Sequence, residues 1–414
     1  MKTKPSVVLT GGGVLSGLGV GIEPFWNALR RNESAVTVKD TWNVPDLATN
    51  EAIFYAPCAD FNLTDHVGNL RPPFPLKYSQ LAMVGARLAI DNAGLDLAGL
   101  VPEQLGLILD TTLSANAAAE TFLYKLYIDG PSKVSPFVFT KTTTNCALGD
   151  VARAFKLKGP SSILLGENSV CYGYDLIRDG KADVVICGGF DEIRETTLLA
   201  SRYRGYLPSV TDETGQRRSF AESLRDEQGV IVYGEGAAFA VLESAEHAYR
   251  RKATVLAEVV NYQVSGDTAY RDFIYERSTD DLLDHLTEFC QNSQIDPSGV
   301  GLFVGGGGLP WHIREYETPA LQDLWADSAL PAYVNIKGQT GETFSASPIM
   351  SLLAGALCLR DNVVVGTGYE SAQTGLPDNA PKYTVNRTFE SGATAFVHSL
   401  HVGGNAVTLA IRKP

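Results

Sequence analysis

The sequence reads as an α/β protein whose central sheet is covered on both faces. Runs such as 105–109, 183–187 and 237–242 are apolar at nearly every position, where a sheet with one solvated face would alternate. Segments with helical periodicity stand between such runs. The clearest, 78–93, is amphipathic and stops before Gly94, as a helix with a glycine at its C-terminus does.

The remaining elements continue this alternation. A strand at 6–10 precedes a helix at 23–31, and a helix at 245–252 follows the strand at 237–242. Beyond it come a helix at 279–290, a strand at 300–304, a helix rich in small residues at 349–361 and a closing strand at 405–411. A length of 414 residues suits two core-forming units packed as one body. No Pro/Ser linker separates them, and the boundary is set at 250/251, giving halves 1–250 and 251–414.

Composition excludes several classes. No apolar run approaches the ~20 residues that span a bilayer, and the first residues lack a secretory pattern. The cysteines (Cys58, Cys146, Cys171, Cys187, Cys290, Cys358) are scattered without a CxxC pair. They read as free thiols in a reducing compartment, which predicts a cytoplasmic protein. Lys and Arg total 34 against 47 acidic residues, a net charge of −13. That balance argues against nucleic acid as a partner. No cluster has metal-ligand spacing, and no cofactor is expected. Gly17, Gly19 and Gly21 do not follow the dinucleotide spacing, and Gly305–Gly308 lack the Lys-Ser/Thr of a phosphate loop. Both stretches read as tight backbone turns.

A set of motifs in fixed order carries a resemblance. It begins at 7–19 with Phe25-Trp26-Asn27-Ala28-Leu29 and passes through Lys158-Gly159-Pro160-Ser161. It continues through Gly188-Gly189, Arg218-Ser219-Phe220, Gly234-Glu235-Gly236-Ala237 and Lys337–Gly341, and ends at Gly403–Leu409. Together these make the chain similar to the β-ketoacyl synthases over essentially its full length. The resemblance implies the thiolase fold, two similar α/β halves in a five-layered αβαβα arrangement.

Condensation in that family needs a thiolate, best placed at a helix N-terminus. It also needs two imidazoles on the thioester oxygen and backbone N–H groups for the oxyanion. Counted from Gly159-Pro160-Ser161, the nucleophile position falls on Asn168, and the helix after it is short by a little more than one turn. Gly305 stands where the first His belongs. Lys337 is retained, but the second His has become Glu342. Near the C-terminus one residue is missing and Val402 replaces a gating Phe. Framework motifs survive while the catalytic positions have changed.

The resemblance therefore implies a non-catalytic subunit, similar to the chain-length factor of type II polyketide synthases, with aryl-polyene synthesis as the favoured setting. Its partner would be an active ketosynthase in a heterodimer, and acyl carrier protein would dock mainly on that partner. Tunnel and interface candidates carried over are Thr112 and Leu113, Phe137 and Phe139, the crossing segment Thr143, Thr144 and Asn145, and Val402. Two alternatives stay open. One is an acyltransferase or altered condensing enzyme using Cys171, with His312 as a substitute base. The other is a homodimer that binds acyl chains or carrier protein without turnover. His66, His247, His285 and His398 lie outside the motif loops and receive no role.

Overall fold

The computed structural model describes residues 4–44, 51–68, 74–269, 274–376 and 378–414. Ten strands form the main path of its large sheet. In chain order they are β1 (Val7–Ser16), β2 (Leu105–Asp110), β3 (Ser161–Leu164), β4 (Val184–Asp191) and β5 (Gly236–Ser244). Then follow β6 (Ala257–Gly266), β7 (Val300–Val304), β8 (Ala332–Val334), β9 (Thr394–Leu400) and β10 (Asn405–Arg412). The spatial order is β8-β7-β9-β10-β6-β1-β5-β4-β2-β3.

That order contains a duplication. Outward from the central β1/β6 pair, one side reads β1-β5-β4-β2-β3 and the other β6-β10-β9-β7-β8. Each strand of the first set matches the strand five later in the second. The directions match too. The outer three strands of each set pair in parallel, and the inner pairings are antiparallel. β1 and β6 join antiparallel at Val7–Leu9.

Helices fill three layers around this sheet. They are α1 (Ile22–Arg30), α2 (Lys77–Asn92), α3 (Asn116–Ile128), α4 (Asn145–Phe155), α5 (Ser169–Arg178), α6 (Thr279–Ser293) and α7 (Ser347–Asp361). α7 is buried on every side from Ser347 to Leu359 and touches β4 and β5 as well as β7 and β9. A helix apolar all round belongs in the middle of a protein, and here the two sheet halves fold over it. α5 packs on β1, β2, β4 and β5, α2 covers the outer face of the first half, and α6 covers that of the second. This is the five-layered thiolase arrangement.

β1 runs six residues beyond the expected end at 10, straight through Gly11-Gly12-Gly13. A Cβ on Gly11 would lie 2.6 Å from Ala93, and one on Gly13 would lie 2.5 Å from the backbone of α2. The glycines serve close helix–strand packing inside a strand, which sequence alone reads as a break. β3 closes one end of the sheet. Among the described residues it pairs only with β2, which leaves its outer edge open.

Candidate functional site

The loops after β2, β3 and β4 meet at one place, and buried carboxylates tie them together. Asp191, at the end of β4, accepts from the Thr111 hydroxyl at 2.8 Å and from the Thr112 and Leu113 amides at 2.9 and 2.6 Å. Its other oxygen accepts from the Ser345 amide at 3.1 Å. Thr112 Oγ1 also lies 3.0 Å from Ser345 Oγ. Burial pushes the Asp191 carboxyl up to about 6. Asp110 Oδ1 accepts from the Gly166 and Glu167 amides at 2.9 and 3.2 Å, while its Oδ2 is buried with no hydrogen bond among the described residues, Ser345 being the side chain that acts on the carboxyl. Burial pushes Asp110 well above the usual carboxylate range, and Asp191 adds to the shift.

The loop held by Asp110 leads into α5. Asn168 is the N-cap of that helix, and its Oδ1 accepts from the Val170 amide at 3.1 Å. An N-cap oxygen satisfies a donor that the helix start leaves unpaired, so Asn168, which the resemblance sets at the nucleophile position, is committed to structure. Cys171 sits one turn on, buried inside the helix. Burial pushes its thiol well above the ordinary value, with Asp175 adding to the effect. A thiol so held is a poor nucleophile, since the thiolate is the reactive form.

The second cluster lies at the end of β7. A Cβ on Gly305 would stand 2.1 Å from Tyr333 Oη and 2.5 Å from Glu317 Oε2. No side chain fits there, because Tyr333 and Glu317 already occupy the space. Glu317 accepts from the Gly306 and Gly307 amides at 2.7 and 2.9 Å and from the Tyr333 hydroxyl. It belongs to a turn of π-helix, Ile313–Glu317, that swings its carboxylate inward.

Lys337 and Glu342 complete this cluster. The ammonium lies 2.6 Å from Glu342 Oε2, donates to the Gly306 carbonyl at 2.5 Å and stands over the Tyr275 ring. Glu342 also accepts from the Tyr275 hydroxyl, from the Phe344 amide at 2.8 Å and from the Ser347 hydroxyl at 2.6 Å. The carboxylate, where the resemblance expects an imidazole, is thus paired with Lys337. Only about 10 Å³ stays open between Tyr275, Lys337, Glu342 and Tyr369, roughly the room of a single water.

His312 stacks on Tyr275 at 4.9 Å, and its Nδ1 accepts from the Leu309 amide at 3.0 Å. Burial, then Lys337, lowers its pKa to about 3, so the ring is neutral and its Nδ1 lone pair is engaged. Val402 is partly exposed and lies against Gly166, near Thr112. Phe137 and Phe139 are solvent-exposed, with Phe139 tilted against Phe122 at 5.4 Å. Thr143, Thr144 and Asn145 lead into α4; Thr143 donates to the Thr140 carbonyl, and Asn145 is exposed.

The β-ketoacyl synthase N-terminal domain matches residues 4–248. The chain belongs to the β-ketoacyl synthase family. Among curated proteins, this family member is 27% identical to 3-oxoacyl-[acyl-carrier-protein] synthase 2 of Coxiella burnetii over 374 residues, covering 88% of each chain. It is 25% identical to the protein of the same name from Staphylococcus aureus (strain N315), covering 100% of this chain and 99% of the other. Its fold is that of the ishigamide ketosynthase/chain length factor, with a TM-score of 0.84 at 24% identity, over 99% of this chain and 100% of that one. It also matches a type II PKS acyl-carrier protein in complex with its ketosynthase bound to the hexaketide. There the TM-score is 0.81 at 20% identity, over 99% and 100% of the two chains.

Among the described residues, no group of His, Cys, Asp and Glu could hold a metal, and no helix is long and apolar enough to cross a membrane. Sequence reasoning passed over Tyr275, Glu317 and Tyr333, which crowd Gly305 and Glu342, and over Asp110 and Asp191. One signal was readable. Asp110 ends the apolar run Leu105–Leu109, and a carboxylate closing a buried strand needs donors. Two histidines without a sequence role also found one. Thr408 Oγ1 lies 2.9 Å from His285 Nε2 and 2.9 Å from His398 Nδ1, and all three are buried.

Proposed function

We propose that this chain is the non-catalytic, chain-length-factor-like subunit of a heterodimeric ketosynthase. It pairs with an intact ketosynthase that supplies the cysteine and both histidines, and it shapes the acyl tunnel of that partner. The supporting observation is a closed interior beside an open flank. Asn168 caps a helix, Gly305 leaves no room for a side chain, and Glu342 is paired with Lys337. The adjoining surface is apolar and uncovered. Tyr127 is 79% exposed, Leu165 65% and Phe139 57%, with Ile128, Phe137 and Tyr172 exposed nearby in the chain. Leu165 directly follows the open strand β3, and exposed apolar side chains of this size favour a permanent partner.

The acyltransferase reading through Cys171 has less support, because burial disfavours its thiolate. Acyl carrier protein is assigned mainly to the partner, since this chain carries a net charge of −13.

The test is co-expression with the intact ketosynthase of the same gene neighbourhood, purification through a tag on one chain, and native mass measurement. The expected result is a one-to-one heterodimer that elongates acyl chains and keeps doing so when Cys171 is replaced by Ala. Its products identify the pathway, for which the sequence resemblance favours aryl-polyene synthesis. A stable homodimer that ignores the ketosynthase overturns the reading.

A further inference from the structure

Beside the edge strand β3 the surface opens into a cleft of about 340 Å³. Leu164 of β3 and Asp175 of α5 form one wall, and Tyr262 of β6 and Val407 of β10 form the other. The cleft lies at the N-terminal end of α5, the helix that is short in the sequence. Its charge is of one sign. Glu167 and Asp175 line it, and no Lys, Arg or His does. Asp175 is fixed by Tyr262, whose hydroxyl donates to Oδ2 at 2.6 Å. Among the described residues, no hydrogen bond reaches its Oδ1.

A second observation points to an occupant. Asn168, only 6% exposed, also lines the cleft. Its Oδ1 is used by the Val170 amide, but its Nδ2 has no hydrogen-bond partner among the described residues. That amide nitrogen faces the open space of the cleft, where a backbone carbonyl delivered from outside can take the place of solvent as its acceptor. The two carboxylates repel phosphate and carboxylate ligands. The same residues form no grouping fit for a metal ion. The chemistry that remains is a cationic side chain carried on a backbone segment.

We infer that this cleft receives an arginine of the partner ketosynthase, its guanidinium held by Asp175 and Glu167 and a neighbouring carbonyl accepting from Asn168. The inference rests on the heterodimer reading above. Arginine fits because its planar fork offers several donors to two carboxylates at once. The location fits because Ser162 and Leu164 of the open edge strand form part of the lining, so a chain docking along β3 reaches it.

The experiment compares heterodimer affinity for the wild-type chain and for the double variant Glu167→Gln, Asp175→Asn at several salt concentrations. Both changes keep side-chain shape, and the amide oxygen introduced by Asp175→Asn can still accept from Tyr262. Thermal melting of the separated chain checks that the fold is intact. The expected result is a heterodimer weakened at least ~30-fold, with a flatter salt dependence, and lost altogether with Asp175→Lys. Unchanged affinity and salt dependence in the double variant overturn the inference while leaving the heterodimer standing. Failure of the wild-type chain to pair at all overturns the heterodimer reading, and the inference with it.

Discussion

Lys337 Nζ and Glu342 Oε2 lie 2.6 Å apart in the interior, both side chains almost wholly out of solvent. The pair occupies the place where the family resemblance puts an imidazole. Removing one partner strands the other charge. Glu342→Leu alone is expected to cost ~3–5 kcal/mol, and Lys337→Met alone a similar amount. The double variant should cost clearly less than their sum, because it buries no lone charge. Urea denaturation of the four proteins measures this coupling.

Gly305 and Gly307 differ in the room around them. A Cβ on Gly305 meets Tyr333 at 2.1 Å, whereas one on Gly307 meets nothing closer than 3.1 Å. Gly305→Ala should therefore destabilise by ~1–3 kcal/mol or more, and Gly307→Ala by distinctly less. Gly305→His should fail to fold. Equal melting temperatures for the two alanine variants would show that Tyr333 yields easily.

Asn168 contributes a cap, so Asn168→Ala should cost ~1 kcal/mol, and Asn168→Asp or Asn168→Ser little. Asn168→Cys puts a thiol at the N-terminus of α5, where the helix dipole favours a thiolate. Iodoacetamide with mass spectrometry should label that thiol faster than Cys171. The variant alone should still not condense acyl chains, since neither Gly305 nor Glu342 supplies an imidazole.

Buried histidines set the acid limit. Burial lowers His285 to about 4, and burial with Lys337 and Arg277 lowers His401 to about 3. Both are neutral in the fold and protonate near ~6.5 once unfolded. Their contribution is therefore present above pH ~6.5 and is lost as pH falls toward 4. Asp191 acts in the opposite sense, since its raised value favours the fold as pH falls below about 6. Denaturation between pH 7 and pH 5 should show His285→Gln flattening the decline by up to one proton, ~1.4 kcal/mol per pH unit.

Asp110 is the converse case. Its Oδ2 is buried without a hydrogen bond among the described residues, and its folded carboxyl is held well above the ordinary value by burial. A raised carboxylate costs stability at neutral pH, and the cost vanishes as pH falls below the unfolded value of ~3.9. Asp110→Asn keeps an acceptor for the Gly166 and Glu167 amides. It should raise the melting temperature at pH 7, with the gain shrinking toward pH 4. A lower melting temperature at pH 7 would mean that the charged form is needed.

Much of the framework was legible because burial on both faces leaves a strong mark on sequence. The runs at 105–109, 183–187 and 237–242 became β2, β4 and β5 within a few residues. β6 escaped notice because it alternates between buried and half-exposed positions and carries Glu258, Asn261 and Gln263. β1 was cut short at its glycines, whose purpose lies in distant helices: Gly11 and Gly13 make room for α2 and the residue after it, and Gly12 for Leu353 of α7.

The sequence by itself determined the α/β class and the family, and the resemblance singled out Asn168, Gly305 and Glu342 as departures from the family pattern, since periodicity and motif order are local properties of the chain. Only the tertiary structure decided what those changes mean. Tyr333 and Glu317 fill the space beside Gly305, Lys337 neutralises Glu342, and Asn168 caps α5. The cleft at Asp175 and Tyr262 also exists only in the fold. Each of these depends on side chains brought together across the two halves or across distant loops, and their contact energies have no counterpart in the order of residues along the chain.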